Sequence, residues 1–263
     1  ASIYASLDPP QKERALEYHQ RAILFAQQHN DRDAQVTAIL AKARGIERLE
    51  DDGGQSQVNQ LYDQAVALYD DPASKINTTV RIGKSILGIK RDDETIAKAQ
   101  QYFQAAINLA QQQADKKIAA TAYMEIGVAY RLPSRAKATD YFQKALTIYQ
   151  AEGDLYGQAM ALYRLSSVSS ATKSLELAGQ ALPIFDRVLP TLQASDKQVE
   201  LAEAYSAMGF LYRRKKEFPA SLDSFNRALA IYKTLQRLSD QKSRIRNVEN
   251  LIRTTQRLKD GTN

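Results

Sequence analysis

Residues 202–236, AEAYSAMGFLYRRKKEFPASLDSFNRALAIYKTLQ, decide the fold of this chain. The first half of the stretch carries a bulky residue, an aliphatic residue, a glycine and a tyrosine at i, i+3, i+4 and i+7, which are Tyr205, Met208, Gly209 and Tyr212. The second half carries a small residue, a ring, an alanine and an aliphatic residue at i, i+4, i+7 and i+8, which are Ser221, Phe225, Ala228 and Leu229. Each spacing places its four positions on one face of an α-helix. The stretch therefore predicts two helices that pack on each other across a short turn.

The pattern of the second half recurs through the chain, which indicates a repeat protein. Its other copies are Ala15-His19-Ala22-Ile23, Val58-Tyr62-Ala65-Val66, Ala99-Phe103-Ala106-Ile107, Ala138-Phe142-Ala145-Leu146 and, more weakly, Ser174-Ala178-Ala181-Leu182. Successive closing alanines are 43, 41, 39, 36 and 47 residues apart, so the period is about 40 residues. We expect the small residues and the rings to form the buried face on which neighbouring helices pack.

The pattern of the first half also recurs, each time before a copy of the second. The other copies are Tyr123-Ile126-Gly127-Tyr130 and, more weakly, Thr79-Ile82-Gly83-Ile86 and Leu162-Leu165-Ser166-Ser169, while Ile39, Ala43 and Ile46 keep the periodicity without the glycine. Glycine inside a helix costs about 1 kcal/mol relative to alanine, so these glycines need a packing reason. We expect them to allow close contact with the partner helix.

Turn signals separate the expected helices, and Asp, Ser and Pro there also favour helix starts. The carboxylate pairs Asp51-Asp52, Asp70-Asp71 and Asp92-Asp93 are therefore interpreted as helix ends and starts rather than as metal or acid–base sites. Pro183 and Pro190 fall inside a stretch that otherwise predicts helix, so we expect a kink or an early stop there. Good helix formers dominate the composition and no stretch alternates as strands do, so no sheet is predicted.

The bulky-x-x-aliphatic-Gly-x-x-Tyr helix, followed by Ala/Ser-x-x-x-Phe-x-x-Ala, resembles the tetratricopeptide repeat (TPR). The long period is similar to that of the repeats in kinesin light chain and in many bacterial signalling proteins. The resemblance covers essentially the whole chain and is clearest at 120–150 and 202–236. It implies an all-α fold, a right-handed α-solenoid of about five to six TPR-like hairpins with a C-terminal capping helix. We expect one superhelix over 1–263, with an N-terminal helix at 10–29, hairpins at 32–69, 73–113, 116–151, 155–193 and 196–236, and the capping helix at 240–259.

Composition limits the classes of partner and of chemistry. The formal net charge of +6 comes from 36 basic and 30 acidic residues spread along the chain, which mildly favours acidic partners. The basic stripe that makes nucleic acid a leading partner is missing, so nucleic acid is not expected. Cysteine is absent, which excludes disulfides and thiolate sites, and no apolar run reaches the roughly 18 residues of a membrane span. We expect a soluble chain, with the cytoplasm slightly favoured and export left open.

The sequence offers few residues for catalysis. There are only two histidines, of which His19 occupies a ring position and is interpreted as a packed side chain, while His29 lies at a helix end. No phosphate-cradling glycine loop follows a strand. We therefore expect the protein not to be an enzyme and to bind no metal, no cofactor and no small-molecule substrate.

The resemblance implies that the first helix of each pair lines an inner, concave wall, where a ligand meets the non-core positions. Basic residues are frequent at these positions, and only Glu47, Glu125 and Glu203 interrupt them. We predict a groove that binds a protein or peptide segment, with acidic segments favoured because Arg forms two-pronged hydrogen bonds with carboxylates. The predicted groove residues are Arg44, Arg48, Asn77, Arg81, Lys84, Met124, Arg131, Tyr163, Arg164, Phe210 and Arg213, with Val80, Val128, Ser206 and Arg214 at further facing positions.

Three functions fit these observations. The leading one is a non-catalytic interaction scaffold or adaptor that binds a peptide in the groove. An alternative is a regulatory or sensor TPR module of a larger signalling protein whose catalytic domain lies elsewhere, because the helix at 10–29 has the character of a second helix without its partner. A nucleic-acid-binding solenoid ranks below both, since repeat proteins that recognise RNA place two or three code-like polar residues in each repeat. A plain solvated helix face remains an equal explanation of the basic residues.

Overall fold

The computed structural model describes residues 9–49, 54–89, 92–235 and 241–261. Within these ranges all regular secondary structure is α-helical and no strand occurs, so the predicted all-α class is confirmed. The described residues form twelve helices: α1 Pro9–Gln28, α2 Arg32–Leu49, α3 Gln55–Ala67, α4 Pro72–Leu87, α5 Asp93–Gln111, α6 Lys116–Tyr130, α7 Arg135–Ala151, α8 Leu155–Val168, α9 Ala171–Gln193, α10 Gln198–Arg214, α11 Phe218–Thr234 and α12 Gln241–Asp260.

The helices group into two compact units that divide between Pro133 and Ser134. In unit 1, which contains α1–α6, consecutive helices pack on one another, and α4 also packs on both α2 and α6. In unit 2, which contains α7–α12, consecutive helices pack in the same way, and α8 also packs on α10. Each unit is therefore a series of packed helices, in which α2, α4 and α6 of unit 1 and α8 and α10 of unit 2 are direct neighbours. The predicted single superhelix over 1–263 stays a prediction.

Acidic side chains begin several of the helices. Asp71 accepts a hydrogen bond from the backbone amide of Ser74 at the start of α4, and Asp92 accepts one from Thr95 at the start of α5. The interpretation of these two carboxylate pairs as helix starts is thus confirmed, whereas Asp51 and Asp52 lie outside the described residues. The Ser74 amide also lowers the pKa of Asp71, because it stabilises the charged carboxylate.

A common register runs through the even-numbered helices. In four of them the buried small residue lies twelve residues after the N-cap: Gly83 after Asp71, Gly127 after Asp115, Ser166 after Asp154 and Gly209 after Lys197. In α2, Asp31 accepts a hydrogen bond from the amide of Ala34, and twelve residues later comes the buried Ala43. We number register positions by the distance from the N-cap, so that the small residue stands at position 12.

The glycines at position 12 make room for rings of the following helix. A Cβ atom added to Gly83 would lie 2.5 Å from the ring of Phe103, and one added to Gly209 would lie 2.6 Å from the ring of Phe225. Real Cβ atoms essentially never lie this close to another atom. Both rings are completely buried. The predicted close contact between glycine and partner helix is confirmed in these two hairpins.

The hairpin of α8 and α9 packs with a different pair of residues. Its ring position holds Ala178, and position 12 holds Ser166 instead of glycine. The hydroxyl oxygens of Ser166 and Ser174 lie 2.7 Å apart, and both residues are completely buried. Alanine takes less space than a ring, so the larger serine and its hydrogen bond fit at this hairpin.

The expected early stop of the helix at Pro183 and Pro190 is wrong, because α9 continues through both residues. Proline removes the hydrogen bond to the carbonyl group four residues earlier, which here belongs to Gly179 or Asp186. These two residues and both prolines are exposed. The prolines are seven residues apart and therefore lie on the same side of the helix, where water can bind the released carbonyl groups.

The last helix covers the end of unit 2. α12 packs on α11, with Val248 and Thr255 buried and Arg246 and Arg253 exposed. This distribution gives the end of the unit a polar outer face, as expected of a capping helix. None of the helices in the described ranges combines the length and apolarity needed to cross a lipid bilayer.

Candidate functional site

The predicted groove residues lie on the even-numbered helices and are divided between the units. Unit 1 carries Arg44 and Arg48 on α2, Asn77, Arg81 and Lys84 on α4, Met124 on α6 and Arg131 directly after α6; unit 2 carries Tyr163 and Arg164 on α8 and Phe210 and Arg213 on α10. Each set forms its own surface, and the two surfaces differ in what their cations contact.

In unit 1, Arg81 joins α4 to α2. One guanidinium nitrogen donates to the carboxylate of Asp33 at 3.0 Å, and another donates to the hydroxyl of Thr37 at 2.7 Å. Tyr69 also donates to the Asp33 carboxylate, at 2.9 Å. Arg81 therefore already has an anionic partner within the protein.

Two other predicted cations of unit 1 also contact neighbouring helices. Lys84 on α4 forms an ion pair with Glu125 on α6, with nitrogen and oxygen 2.6 Å apart. Arg48 on α2 donates to the carbonyl oxygen of Gly88, the C-cap of α4, at 3.3 Å. These contacts connect helices of the same unit, a role that the sequence interpretation did not anticipate.

The remaining predicted residues of unit 1 have varied surroundings. Arg44 is half-buried, and its charge is the second cause, after burial, of the lowered pKa of His19. His19 is itself half-buried, as expected for a packed side chain. Met124 is half-buried and Arg131 is exposed.

Glu47 belongs to a hydrogen-bonded group that connects three helices of unit 1. Its carboxylate lies 2.6 Å from the ammonium nitrogen of Lys98 on α5 and accepts a hydrogen bond from the hydroxyl of Tyr62 on α3 at 3.3 Å. The Glu47 side chain is only 12% exposed. Burial and the nearby carboxylate raise the pKa of Tyr62. Glu47 is thus compensated inside the protein and contributes no free negative charge to the surface.

A cavity of about 270 Å³ lies between α4 and α6. Asn77, one of the predicted groove residues, stands at its rim, and Val80, only 2% exposed, lies in its wall. The cavity is the first feature that residue spacing did not predict. Among the described residues, no group of three or more His, Asp or Glu side chains is arranged to hold a metal ion.

Unit 2 presents what we call the arginine patch, which consists of Tyr163, Arg164, Phe210, Arg213 and Arg214. The rings of Tyr163 on α8 and Phe210 on α10 meet edge to face, with centroids 5.3 Å apart. The guanidinium carbons of Arg213 and Arg214 lie 5.6 and 5.0 Å from the centre of the Phe210 ring. Arg164 lies 5.1 Å from the centre of the Tyr163 ring. Cation–π contacts of this kind hold guanidinium groups against the ring faces.

The cations of the arginine patch have no carboxylate partner among the residues that the structure describes. The Nε–H group of Arg164 is buried and meets no hydrogen-bond acceptor there. Burial, followed by the positive charge of Arg214, lowers the pKa of Arg213. The surroundings of Arg213 thus disfavour its charged form, and an anion brought to the patch would relieve this cost.

Within α10, the acidic residue nearest in the chain to this patch, Glu203, is already occupied. It forms an ion pair with Arg244 on α12 and accepts a hydrogen bond from the hydroxyl of Tyr156 on α8 at 3.2 Å. Burial and Glu203 raise the pKa of Tyr156. All three glutamates that interrupt the predicted basic positions are therefore bound to cations of their own unit.

Sequence reasoning treated Glu125 and Glu203 as interruptions of the basic positions and missed that they pair with cations of neighbouring helices. Lys84 and Glu125 are 41 residues apart, and so are Glu203 and Arg244. Both separations equal about one repeat period, so each pair joins corresponding regions of neighbouring repeats. Opposite charges one period apart were a signal that could have identified these contacts.

No protein-family model and no curated protein matches the chain. Among solved structures, the chain is similar to BtubC (BKLC) from P. vanneervenii, with 15% identity over 86% of this chain and 92% of that one and a TM-score of 0.46. It is also similar to the apo form of RapI, with 13% identity over 95% of this chain and 72% of that one and a TM-score of 0.47. The helical-repeat architecture itself rests on the packing described above.

Proposed function

We propose that this chain is a protein-interaction module whose arginine patch in unit 2 binds a carboxylate-rich segment of a partner protein. The observation that carries the proposal is the buried Nε–H group of Arg164, which has no acceptor among the described residues. A buried charged donor without an acceptor costs stability, and natural proteins seldom keep such a cost without a function for it.

A carboxylate fits the patch better than a neutral ligand does. Guanidinium groups bind carboxylates through two parallel hydrogen bonds, and a hydrogen bond to a charged group contributes about 1.5–3 kcal/mol. Arg213 and Arg214 lie against the same ring, so their orientation is restricted before the ligand arrives. Less side-chain freedom is then lost on binding.

The position of the two arginines at a helix end is the ordinary alternative explanation. Arg213 and Arg214 lie in the last turn of α10, where the helix dipole stabilises a cation by about 0.3–1 kcal/mol. That effect would favour the charged form of Arg213, yet the pKa of Arg213 is lowered. Burial and the neighbouring charge of Arg214 thus act against the charged form of Arg213, which supports a function in binding anions.

A protein segment is favoured over nucleic acid by the small extent of the patch. An extended phosphate backbone requires a long track of unpaired cations. In unit 1, by contrast, Arg81 and Lys84 are already paired with carboxylates. The three arginines of the arginine patch match a short acidic segment instead.

The test is fluorescence anisotropy with a labelled peptide that contains four glutamates separated by glycines, and with the same peptide in which glutamine replaces glutamate. The triple variant R164Q/R213Q/R214Q should bind the acidic peptide at least about tenfold more weakly than the wild type. A matched control, R135Q/R187Q/R246Q, removes the same charge from exposed positions of unit 2 and should stay within about twofold of the wild type. Equal losses in the two variants would show attraction by net charge alone and would refute the proposal.

A further inference from the structure

The cavity between α4 and α6 has buried apolar walls and a polar rim. Ile76, Val80 and Ala122 are between 2% and 4% exposed and form the apolar part. The complete lining consists of Ala73, Ile76, Asn77, Val80, Asp115, Lys117, Ile118, Thr121, Ala122 and Glu125. All of these residues belong to unit 1, so the cavity lies within one compact unit.

The cavity exists because α4 has small residues where α8 has large ones. Positions 2, 6 and 9 of the common register hold Ala73, Asn77 and Val80 in α4 but Tyr156, Met160 and Tyr163 in α8. In unit 2 the Tyr156 side chain extends towards α10, where its hydroxyl donates to Glu203. The corresponding region next to α4 is left open. The residues at positions 2, 6 and 9 therefore account for the open space beside α4 relative to α8.

The rim contains an amide side chain that can bind a ligand. The Asn77 amide is exposed and has no hydrogen-bond partner among the described residues. Of the charged rim residues, Glu125 pairs with Lys84 at 2.6 Å and Asp115 accepts a hydrogen bond from the backbone amide of Lys117 at 2.9 Å, while the Lys117 side chain is exposed. A carboxamide carries both donors and an acceptor, so it can bind the N–H and the C=O of a peptide group.

The size of the cavity suits a single side chain. Pockets for drug-sized ligands measure about 300–1,000 Å³, and this cavity, at about 270 Å³, lies below that range. Its aliphatic walls provide no partner for a charged or strongly polar group. A branched aliphatic side chain would fit inside it and bury its apolar surface there.

We infer that the cavity between α4 and α6 is a binding pocket for one leucine-like side chain of a partner segment, whose adjoining peptide group hydrogen-bonds to Asn77. The inference rests on the proposed interaction role, but it uses a surface in unit 1 that shares no residue with the arginine patch.

The test uses N-acetyl-leucine-N-methylamide as the probe and methyl-labelled protein in nuclear magnetic resonance titrations. The methyl signals of Ile76, Val80 and Ile118 should shift saturably with this probe. The alanine analogue should bind at least about tenfold more weakly, because missing methylene groups in an apolar pocket reduce affinity by at least that factor. Equal shifts with the glycine analogue, or unshifted signals of these three residues, would overturn the inference.

Two variants separate the contributions of the pocket and the amide. A73Y/N77M carries the α8 residues at positions 2 and 6 and should abolish the shifts. N77A should weaken the leucine probe several-fold while leaving the binding of 3-methylbutan-1-ol, which has no peptide group, unchanged. If that alcohol binds the wild type as tightly as the leucine probe, the pocket recognises small apolar molecules and the inference is wrong.

The arginine patch supplies the remaining control. The R164Q/R213Q/R214Q variant should bind the leucine probe as the wild type does, and A73Y/N77M should bind the acidic peptide as the wild type does. Failure of the acidic peptide to bind would refute the arginine patch alone, whereas failure of the leucine probe would refute the pocket alone.

Discussion

Arg81 of α4 and Arg164 of α8 occupy the same register position, ten residues after the N-caps Asp71 and Asp154. Arg81 contacts a carboxylate, whereas Arg164 contacts none among the described residues. The first arginine stabilises unit 1 through Asp33, and the second keeps a buried donor without an acceptor. Identical residues at equivalent positions thus have different contacts, and we propose different purposes for them: stability for Arg81 and binding for Arg164.

Replacement of each arginine by methionine should separate these purposes. R81M should lower the free energy of unfolding by about 0.5–1 kcal/mol, a modest loss because the Asp33 side chain is 80% exposed. R164M should leave stability unchanged or raise it by up to about 1 kcal/mol, because it removes an unsatisfied buried N–H group. Urea unfolding midpoints measure both effects. A larger loss in R164M than in R81M would contradict a binding role for Arg164.

The contact between Gly209 and Phe225 should make alanine unfavourable at position 12. Although alanine favours helix by about 1 kcal/mol, the added methyl group would overlap the buried ring, so G209A should lose about 1–3 kcal/mol overall. Gly179 in α9 is the matched control, since nothing lies within 4 Å of an added Cβ atom there. G179A should gain about 0.5–1 kcal/mol. Thermal unfolding would show whether the two variants change stability in opposite directions.

The ion pairs of Lys98 and Lys84 have the same length, 2.6 Å, but different burial, so their loss should differ in cost. K98M leaves the Glu47 carboxylate, 12% exposed, without a cation and should cost roughly 2 kcal/mol. K84M leaves the Glu125 carboxylate without a cation, but this side chain is 43% exposed, so the substitution should cost less than about 1 kcal/mol. Addition of E47Q to K98M should recover most of the loss in chemical unfolding, because it removes the unpaired charge. Equal costs for K98M and K84M would argue against burial as the cause.

His19 should make the stability of the protein depend on pH. Its pKa in the folded chain lies below the ordinary 6.5, through burial first and the charge of Arg44 second. Below pH 6.5, His19 is therefore protonated more readily in the unfolded chain than in the folded chain. The free energy of unfolding falls as the pH drops towards the folded pKa. H19Q should lose less stability than the wild type between about pH 7.5 and pH 5.5. Equal pH dependence of stability in H19Q and the wild type would contradict this prediction.

Phe210 should contribute to binding through the arginines that lie on its ring. In F210L, Arg213 and Arg214 lose their cation–π contacts at 5.6 and 5.0 Å and become less restricted. The labelled glutamate peptide should bind about three- to tenfold more weakly, because such contacts contribute about 0.5–1 kcal/mol each. Anisotropy titrations measure the loss, and the unfolding midpoint checks that the fold is intact. Unchanged affinity in F210L would mean that the ring does not position the arginines.

The all-α class could be predicted because each repeat pattern is local to one helix. Phe103 and Gly83 illustrate this, since their spacing within α5 and α4 already indicated which side of each helix is buried. The course of α9 could not be predicted in this way. Proline at 183 favours a helix end, but α9 continues because the carbonyl group of Gly179, which loses its hydrogen bond, is exposed to solvent. Only the packed structure reveals this exposure.

The candidate site was less predictable than the fold. The facing positions identified Arg81, Lys84 and Arg164 as cations of the predicted groove on even-numbered helices. Whether a cation meets a carboxylate depends on the distance between helices one repeat apart, which no local pattern contains. The cavity beside Asn77 depends on small residues at three register positions at once, and the register becomes visible only when the N-cap of each helix is known.

The constant separation between the N-cap and position 12 restricts where the chain tolerates changes in length. One residue inserted between Asp154 and Ser166 would rotate every later side chain of α8 by about 100° and turn Ser166 away from Ser174. One residue inserted at 194–196, between α9 and α10, would leave the register of both helices intact. Loop grafts and peptide tags for engineering this protein therefore belong in the connections that precede the N-caps, where added length does not change which side chains are buried.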